Sequence, residues 1–432
     1  MQSIWTKTTE IENFESLNGD IRTDVLIIGG GITGILCGYM LKKAGIDCVV
    51  VEADRILSGT TKNTTAKITY LHGCIYDKMI KRYGLEKAKL YAEAQIDAIE
   101  EFRKLSEEFP CDFEEMCSYV YSLNDKNKIE KEAEALQKIG LDAKFVEDTG
   151  LPFKIAGAVC VENQAGFNPF MLLKELAKDI SIYEHTRVLE FKPSYVVTSK
   201  GKIYANKIIV ATHFPLNNKH GSYFLKMYQH RSYVLALKNC DSLDGMYVDE
   251  SKKGMSFRSY NGLLLLGGGG HRTGKQGGNW AELLKFAKKY YPDAKEVLRW
   301  ATQDCMTLDD IPYIGGYSKS TQDLYVATGF NKWGMTSSMV SAKILKDIML
   351  GKPNRYLSVF NPSRSIIHPQ LAVNGFETIT SLLTPVAPRC PHLGCALKYN
   401  PHEHSWDCKC HGSRFDEKGK VIDNPANGDL KI

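Results

Sequence analysis

Apolar and polar positions divide the chain into recognisable elements. Residues 24–28 (DVLII) form a continuous apolar run that enters Gly29-Gly30-Gly31-Ile32-Thr33-Gly34. The next segment, ILCGYMLKKAG, has helical character and stops near Gly45, and a second apolar run at 48–51 leads to Glu52. Short apolar runs bounded by glycine predict strands buried on both faces. Ala88, Ala92, Ile96, Ile99 and Phe102 recur at helical spacing with charges between them. Residues 128–139 form another amphipathic helix, stopped by Gly140; both read as packing helices. Residues 186–191 (TRVLEF) and 195–202 predict two strands joined by a turn, and 207–215 (KIIVATHFP) a later strand. From 222 to 266, runs such as SYVLALK and GLLLLG predict an antiparallel sheet, followed by His271, Arg272 and Lys275 in a glycine-rich turn. Residues 324–334 (LYVATGFNKWG) predict a strand and glycine-rich turn before the helix MTSSMVSAKILKDIMLGKP. The stretch 351–370 is rich in Pro, Asn and Ser and has no period, which marks a domain boundary.

Composition narrows the class. A chain of 432 residues has room for two or three domains. Apolar residues at 43% and charged residues at 24% exclude a disordered, collagen-like or small disulfide-stapled protein. A net charge of +5 is too mild for a nucleic-acid partner. The N-terminus has no basic region followed by an apolar run, and no run reaches the ~18 apolar residues of a transmembrane segment. The expectation is a soluble cytoplasmic protein. Eight of the twelve cysteines are scattered; Cys390, Cys395, Cys408 and Cys410 cluster.

The first run, its glycines and Glu52 form a strand, G-x-G-x-x-G, helix, strand, acid pattern, with the acid 21 positions after Gly31. Gly29 allows the tight turn, Gly31 a close backbone approach to a pyrophosphate, and Gly34 tight helix–strand packing. The helix N-terminus attracts phosphate, and Glu52 is suited to ribose hydroxyls. The motif alone does not separate NAD from FAD. The second chemical signal is Cys390-x-His392, fifteen residues, then Cys408-x-x-His411. Two thiolates and two imidazoles suit a [2Fe–2S] centre with one cysteine-ligated and one histidine-ligated iron. Zinc also takes Cys2His2 sets, but zinc fingers usually pair like ligands, whereas each loop here offers one of each.

Residues 24 to about 353 resemble the FAD-dependent D-amino-acid oxidase superfamily, near glycine and sarcosine oxidases. The likeness lies in the dinucleotide motif, in KIIVATHFP, where His213 stands in place of the glycine of A-T-G, and in WATQDCMTLDDIPYIG at 300–315 with LYVATGFNKWG. The resemblance implies non-covalent FAD bordered by Gly29, Gly31, Gly34, Glu52, Val188, Ala211, Gly329, Gly334 and Met335. The loop 60–69 adds Thr61, Thr65 and Lys67. CPHLGC and CHGS match Rieske proteins, which implies a cluster on Cys390, His392, Cys408 and His411. Cys395 and Cys410 resemble the disulfide of respiratory and photosynthetic Rieske proteins; the alternative is two free thiols. Phe415 stands where respiratory Rieske loops often carry tyrosine, so one hydrogen bond is lost while Ser413 still donates.

The implied fold is an α/β two-dinucleotide-binding, Rossmann-like FAD domain with an antiparallel-sheet substrate domain, plus a small all-β Rieske domain. Residues 1–353 form the first unit, with FAD-binding parts at about 20–80, 150–215 and 300–353 and a substrate part at about 81–149 and 216–299. Residues 354–366 are the linker and 367–432 the Rieske domain. Where glycine oxidase-like enzymes place a carboxylate-binding arginine, this chain has Asp304, which favours a cationic or neutral amine over an amino-acid carboxylate. The alternative is that Asp304 caps a turn or pairs with Arg299 or Lys332. Lys332 and Lys67 are candidates to stabilise negative charge on the flavin. The function implied is oxidation of a small C–N substrate, with electrons passed through the cluster to a protein carrier or quinone. Two alternatives remain: a redox sensor or electron-transfer module without turnover, and a Rieske oxygenase with a further iron near His213, His220 and His230.

Overall fold

A computed structural model describes residues 2–251, 253–275, 277, 279–385 and 388–431. Two large sheets and one small sheet organise the chain. The first is built on strand Ile21–Ile28, which pairs in parallel with Cys48–Val51 on one side and Lys202–Val210 on the other. Ser181–Tyr183 and Leu324–Thr328 extend it in parallel, and Tyr313–Gly316 closes one edge antiparallel. Its central strand is covered on both faces, which explains the unbroken apolar run. Val25 and Ile27 join one core, under helices Ile32–Lys43 and Gly334–Met349, while Leu26 and Ile28 join a second with Val188, Phe214 and Tyr313. The first helix can approach its strand only because residue 34 lacks a side chain. A Cβ there would lie 1.9 Å from the Gly29 carbonyl oxygen.

The second sheet has nine strands. Long strands Met227–Lys238, Leu263–Arg272 and Lys295–Thr307 lie side by side, antiparallel. The sheet is not wholly antiparallel: Gly245–Asp249 runs parallel to Glu114–Ser122. These two strands are distant in sequence and are not joined by a hairpin, so either direction is open to them. Residues 300–307 belong to this sheet as the end of Lys295–Thr307. Helix Leu85–Glu108 buries Ala88, Ala92, Ile99 and Phe102, as their spacing predicts, and helix Lys126–Lys138 ends before Gly140.

The stretch after the first unit is fixed rather than free. Helix Leu357–Phe360 buries Val359 and Phe360, and the Arg364 guanidinium donates to both Asp309 carboxylate oxygens at 2.7 and 2.8 Å. Helix Pro369–Leu382 follows, its first turn capped by the His368 side chain. The third sheet has four antiparallel strands, Leu397–Asn400, Ser405–Cys408, Arg414–Asp416 and Val421–Asp423. Its core is small, with Leu397, Phe415, Ala426 and Leu430 around the four clustered cysteines. Among the described residues, no helix is long and apolar enough to cross a membrane.

Candidate functional site

A cavity of about 1320 Å3 is lined by the first strand–helix turn, the nine-stranded sheet and the C-terminal unit. Gly29, Gly31, Glu52, Thr61, Thr65, Lys67, Val188, Ala211, Asp304, Lys332, Gly334 and Met335 all line it. Gly34 and Gly329 stand behind the wall, where a Cβ would strike the Gly29 carbonyl and the Thr307 methyl respectively. Glu52 is oriented by backbone: one oxygen accepts from the Gly30 amide at 2.8 Å and the other from Asp54 at 2.9 Å. Burial raises its pKa, and these amides partly oppose the rise. The Thr61 hydroxyl accepts from the Ile32 amide at 3.0 Å and so joins the loop to the helix N-terminus.

Two cations flank this space. Lys67 lies in the short strand Lys67–Ile68, with its ammonium donating to Thr65 Oγ1 at 3.2 Å. Burial, followed by the charge of Arg258, lowers it to about 7. Lys332 sits at φ 75° in the turn after strand Leu324–Thr328. Asp304, opposite His230 on the neighbouring strand, is pushed up to about 6 by burial, against the pull of Lys332 and then Arg231. Arg299 instead pairs with Glu296. His213 also lines the cavity, at φ 65°, the left-handed region its glycine counterpart would favour. Burial lowers it to about 4, and its Nε2 is buried without a hydrogen-bond partner among the described residues.

The second cluster forms on two loops. Cys390 and Cys408 are buried with their thiols in contact, and the Ser413 hydroxyl also lies against Cys390. The His392 and His411 rings pack edge to face, 4.9 Å between centroids. Among the described residues, no hydrogen-bond partner meets the buried nitrogens at His392 Nδ1 and at both His411 positions. Unsatisfied buried donors and acceptors are costly in a finished core. Two imidazoles and two thiols left open toward one another suit a metal cluster, which would satisfy them. The hairpins are set by backbone bonds from Gly394 to Cys390 and from Gly412 to Cys408, both 2.9 Å.

The expected Cys395–Cys410 disulfide is not formed. Both are free thiols, with sulfurs within 4.8 Å of each other and of Cys408. The Cys410 thiol is turned to the Glu377 carbonyl, at 3.8 Å. Among the described residues, His213, His220 and His230 do not gather with a carboxylate into a ligand group; His220 contacts Ser320 on the surface.

The two sites share a wall. Gln229 donates through Nε2 to the His411 carbonyl at 2.9 Å and to the Asn424 carbonyl at 2.7 Å. Gln303 donates to the Gly412 carbonyl at 2.9 Å and to Gln229 Oε1 at 2.6 Å. Arg272 donates to the Lys409 and Cys410 carbonyls, and His392 Nε2 meets Asn218 Oδ1 at 2.9 Å. Asn424 and Asn427 bond the Phe214 and Val188 carbonyls beside the cavity. The sequence alone does not single out Gln229, Arg231, Gln303 or Glu403. Residues 229, 231 and 233 do share one face of a strand by period-2 alternation, and that polar stripe is the available signal.

Comparison with known proteins places these features. The family described as FAD dependent oxidoreductase matches residues 24–348, and the Rieske [2Fe-2S] domain matches 380–432. The chain is 36% identical to the Rieske 2Fe-2S iron-sulfur protein YhfW of Bacillus subtilis, over all of this chain and 97% of that protein. It is 25% identical to gamma-glutamylputrescine oxidoreductase of Escherichia coli, over 79% of this chain and 87% of that one. Glycine oxidase from Geobacillus kaustophilus superposes with a TM-score of 0.67 at 18% identity, covering 80% of this chain and 99% of that structure.

Proposed function

The chain belongs to the FAD-dependent oxidoreductase family and ends in a Rieske [2Fe-2S] domain; from this premise we propose that it dehydrogenates an amine and relays the electrons through its own cluster. The external acceptor in this reading is a protein carrier or a quinone. When bound, the flavin takes up a hydride and the cluster passes electrons one at a time.

The residues have distinct parts in this reading. Gly29 and Gly31 open the backbone to the dinucleotide, Gly34 lets the helix pack on the strand behind them, and Glu52 faces its ribose. Thr61, Thr65, Val188, Ala211, Gly334 and Met335 border the cofactor, and Gly329 supports that wall from behind. Lys67 and Lys332 hold positive charge where the flavin gains negative charge. Asp304 favours a cationic or neutral amine over an anion. Similarity to an oxidoreductase named for gamma-glutamylputrescine also supports an amine. Cys390, His392, Cys408 and His411 hold the cluster. Work in the reducing cytoplasm is part of this reading, and it would keep the cysteines outside the cluster as thiols.

The observation that carries the relay is the shared wall. Gln229 and Gln303 leave the substrate sheet and bond directly to the carbonyls of His411 and Gly412. A cluster held there by tether and contact has a high effective concentration beside the cavity. The test is anaerobic rapid mixing of the loaded protein with a panel of amines and N-methyl amines. Flavin bleaching should precede the low-average-g signal of a reduced Cys/His cluster. His392→Ala and Cys408→Ser should leave bleaching nearly intact and abolish turnover with the external acceptor. Wild-type turnover in the cluster-free variants, or one peroxide per substrate in the wild type, would refute the relay.

A further inference from the structure

Arg231 and Tyr233 lie two residues apart on strand Met227–Lys238, so both side chains leave the same face, and both line the cavity. A guanidinium fork and a phenol hydroxyl converging on one point make a receptor for a carboxylate. Here that receptor is already filled, and the carboxylate comes from the C-terminal domain. Glu403 Oε1 accepts from Arg231 Nε at 3.0 Å and from the Tyr233 hydroxyl at 3.1 Å. Its other oxygen accepts from a second Arg231 nitrogen and from Arg414. The Glu403 side chain is 1% exposed and that of Arg231 7%. Burial pushes Glu403 up, but Arg231 and then Arg414 outweigh it and bring it down to about 2.

Arg414 is not dependent on this contact, because it also pairs with Asp407 and Asp423 at 3.0 Å. Among the described residues, the other ion pair of Arg231 is a looser one with Asp423, at 4.0 Å. Glu403 is therefore the group that satisfies the Arg231 fork. Asp304 stands on the strand beside it, paired in register with His230, and adds a further negative group to the same wall.

We propose that Glu403 is a specificity-determining plug: the Rieske domain places its own carboxylate in the anion receptor of the flavin cavity and so excludes substrates that would dock there by a carboxylate. The plug deepens the amine reading, on which it rests, by naming the amines admitted: those without a carboxylate that must reach Arg231. A tethered carboxylate competes at an effective concentration of roughly millimolar or above, so a dilute free acid does not displace it. Displacement would also leave the buried Glu403 charge paired with Arg414 but without its contacts to Arg231 and Tyr233.

The test uses the full chain loaded with FAD and cluster, in the oxidised state, titrated with benzoate by calorimetry and by the flavin spectrum. Glu403→Ala should bind benzoate at least about tenfold more tightly than wild type, a difference of about 1.4 kcal/mol. Glu403→Gln, which keeps the volume and a hydrogen bond to Tyr233, should show a gain of the same sign and serves where the alanine variant loses its cofactors. Adding Arg231→Met to either should remove the gain. Wild type binding benzoate as tightly as the variants, or loaded variants binding no tighter than wild type, would overturn the plug. Because no turnover is involved, that failure would leave the amine reading standing. A gain in benzoate binding without flavin bleaching by any amine would overturn the amine reading alone.

Discussion

At the residue scale, Lys67 shows how burial sets chemistry. Its ammonium has one hydroxyl partner, Thr65, and shares its surroundings with the buried guanidinium of Arg258. Arg258 meets carbonyls rather than an acid: its Nη1 alone donates to Thr65, Ala66 and Phe167, while Nε and Nη2 are buried without a hydrogen-bond partner among the described residues. With its folded pKa near 7, below the ordinary ~10.4, Lys67 binds its proton less tightly in the folded than in the unfolded chain. The resulting cost to stability is complete below about pH 7 and fades as pH rises toward about 10. Lys67→Met should therefore stabilise the protein most near about pH 6 and least near about pH 10. Urea melts of both proteins at the two pH values measure this, and an equal gain at both would refute the buried-cation account.

At the element scale, the segment between the two cofactor units behaves as a strap. Residues 351–370 have the composition of a linker, yet Arg364 is buried across Asp309 and its guanidinium stacks 4.0 Å from the Tyr313 ring. It also bonds the Pro312 carbonyl at 2.9 Å. The Asp309 carboxylate is 4% exposed, so removing its partner strands a charge. Such a loss costs about 3–5 kcal/mol. Arg364→Ala should lower the melting temperature and open residues 354–368 to limited proteolysis, read by mass spectrometry of the fragments. Unchanged cleavage would mean that Leu357–Phe360 alone holds the strap. Helix Pro369–Leu382 then carries the chain to the cluster loops, burying Asn374, Glu377 and Ser381 while Val373, Phe376 and Ile379 face outward.

At the scale of the whole molecule, the decisive feature is how closely the cluster loop rests on the substrate sheet. Gly274 follows strand Leu263–Arg272 at φ +75°, and a Cβ there would lie 2.5 Å from the Lys409 amide nitrogen. Backbone meets backbone, so no rotamer change can relieve a methyl group. Gly274→Ala should push the backbone of the Cys408–His411 loop outward while leaving every ligand side chain in the sequence, since the added Cβ meets the Lys409 nitrogen at 2.5 Å and the Cys408 carbonyl carbon at 2.9 Å. Iron content and amine-dependent flavin bleaching should stay near wild type. Cluster reduction after flavin reduction should slow by about tenfold to a hundredfold, the scale on which a 1 Å misplacement acts. Rapid-mixing spectroscopy with iron analysis checks this, and an unchanged rate would show that the loop contact is not the route.

The sequence by itself determined the chemistry that rests on short spacing. The dinucleotide turn and the Cys-x-His and Cys-x-x-His loops are each held within a few residues, so local backbone geometry brings their groups together. The helical spacing of Ala88 to Phe102 likewise needs no distant information to be read. Only the tertiary structure decided which side chains meet across the two units. Arg231 and Glu403 are 172 positions apart, and Gln229 reaches the His411 carbonyl across 182. Alternation along Met227–Lys238 shows that Gln229, Arg231 and Tyr233 share a face, but not what that face covers. The same limit applies to Cys395 and Cys410: the motif brings the sulfurs close, while the surrounding contacts turn Cys410 toward the Glu377 carbonyl. Periodicity and motif spacing encode contacts within an element or loop, whereas a shared cavity wall depends on how separate elements pack. That packing is set by the shapes and charges of both surfaces at once.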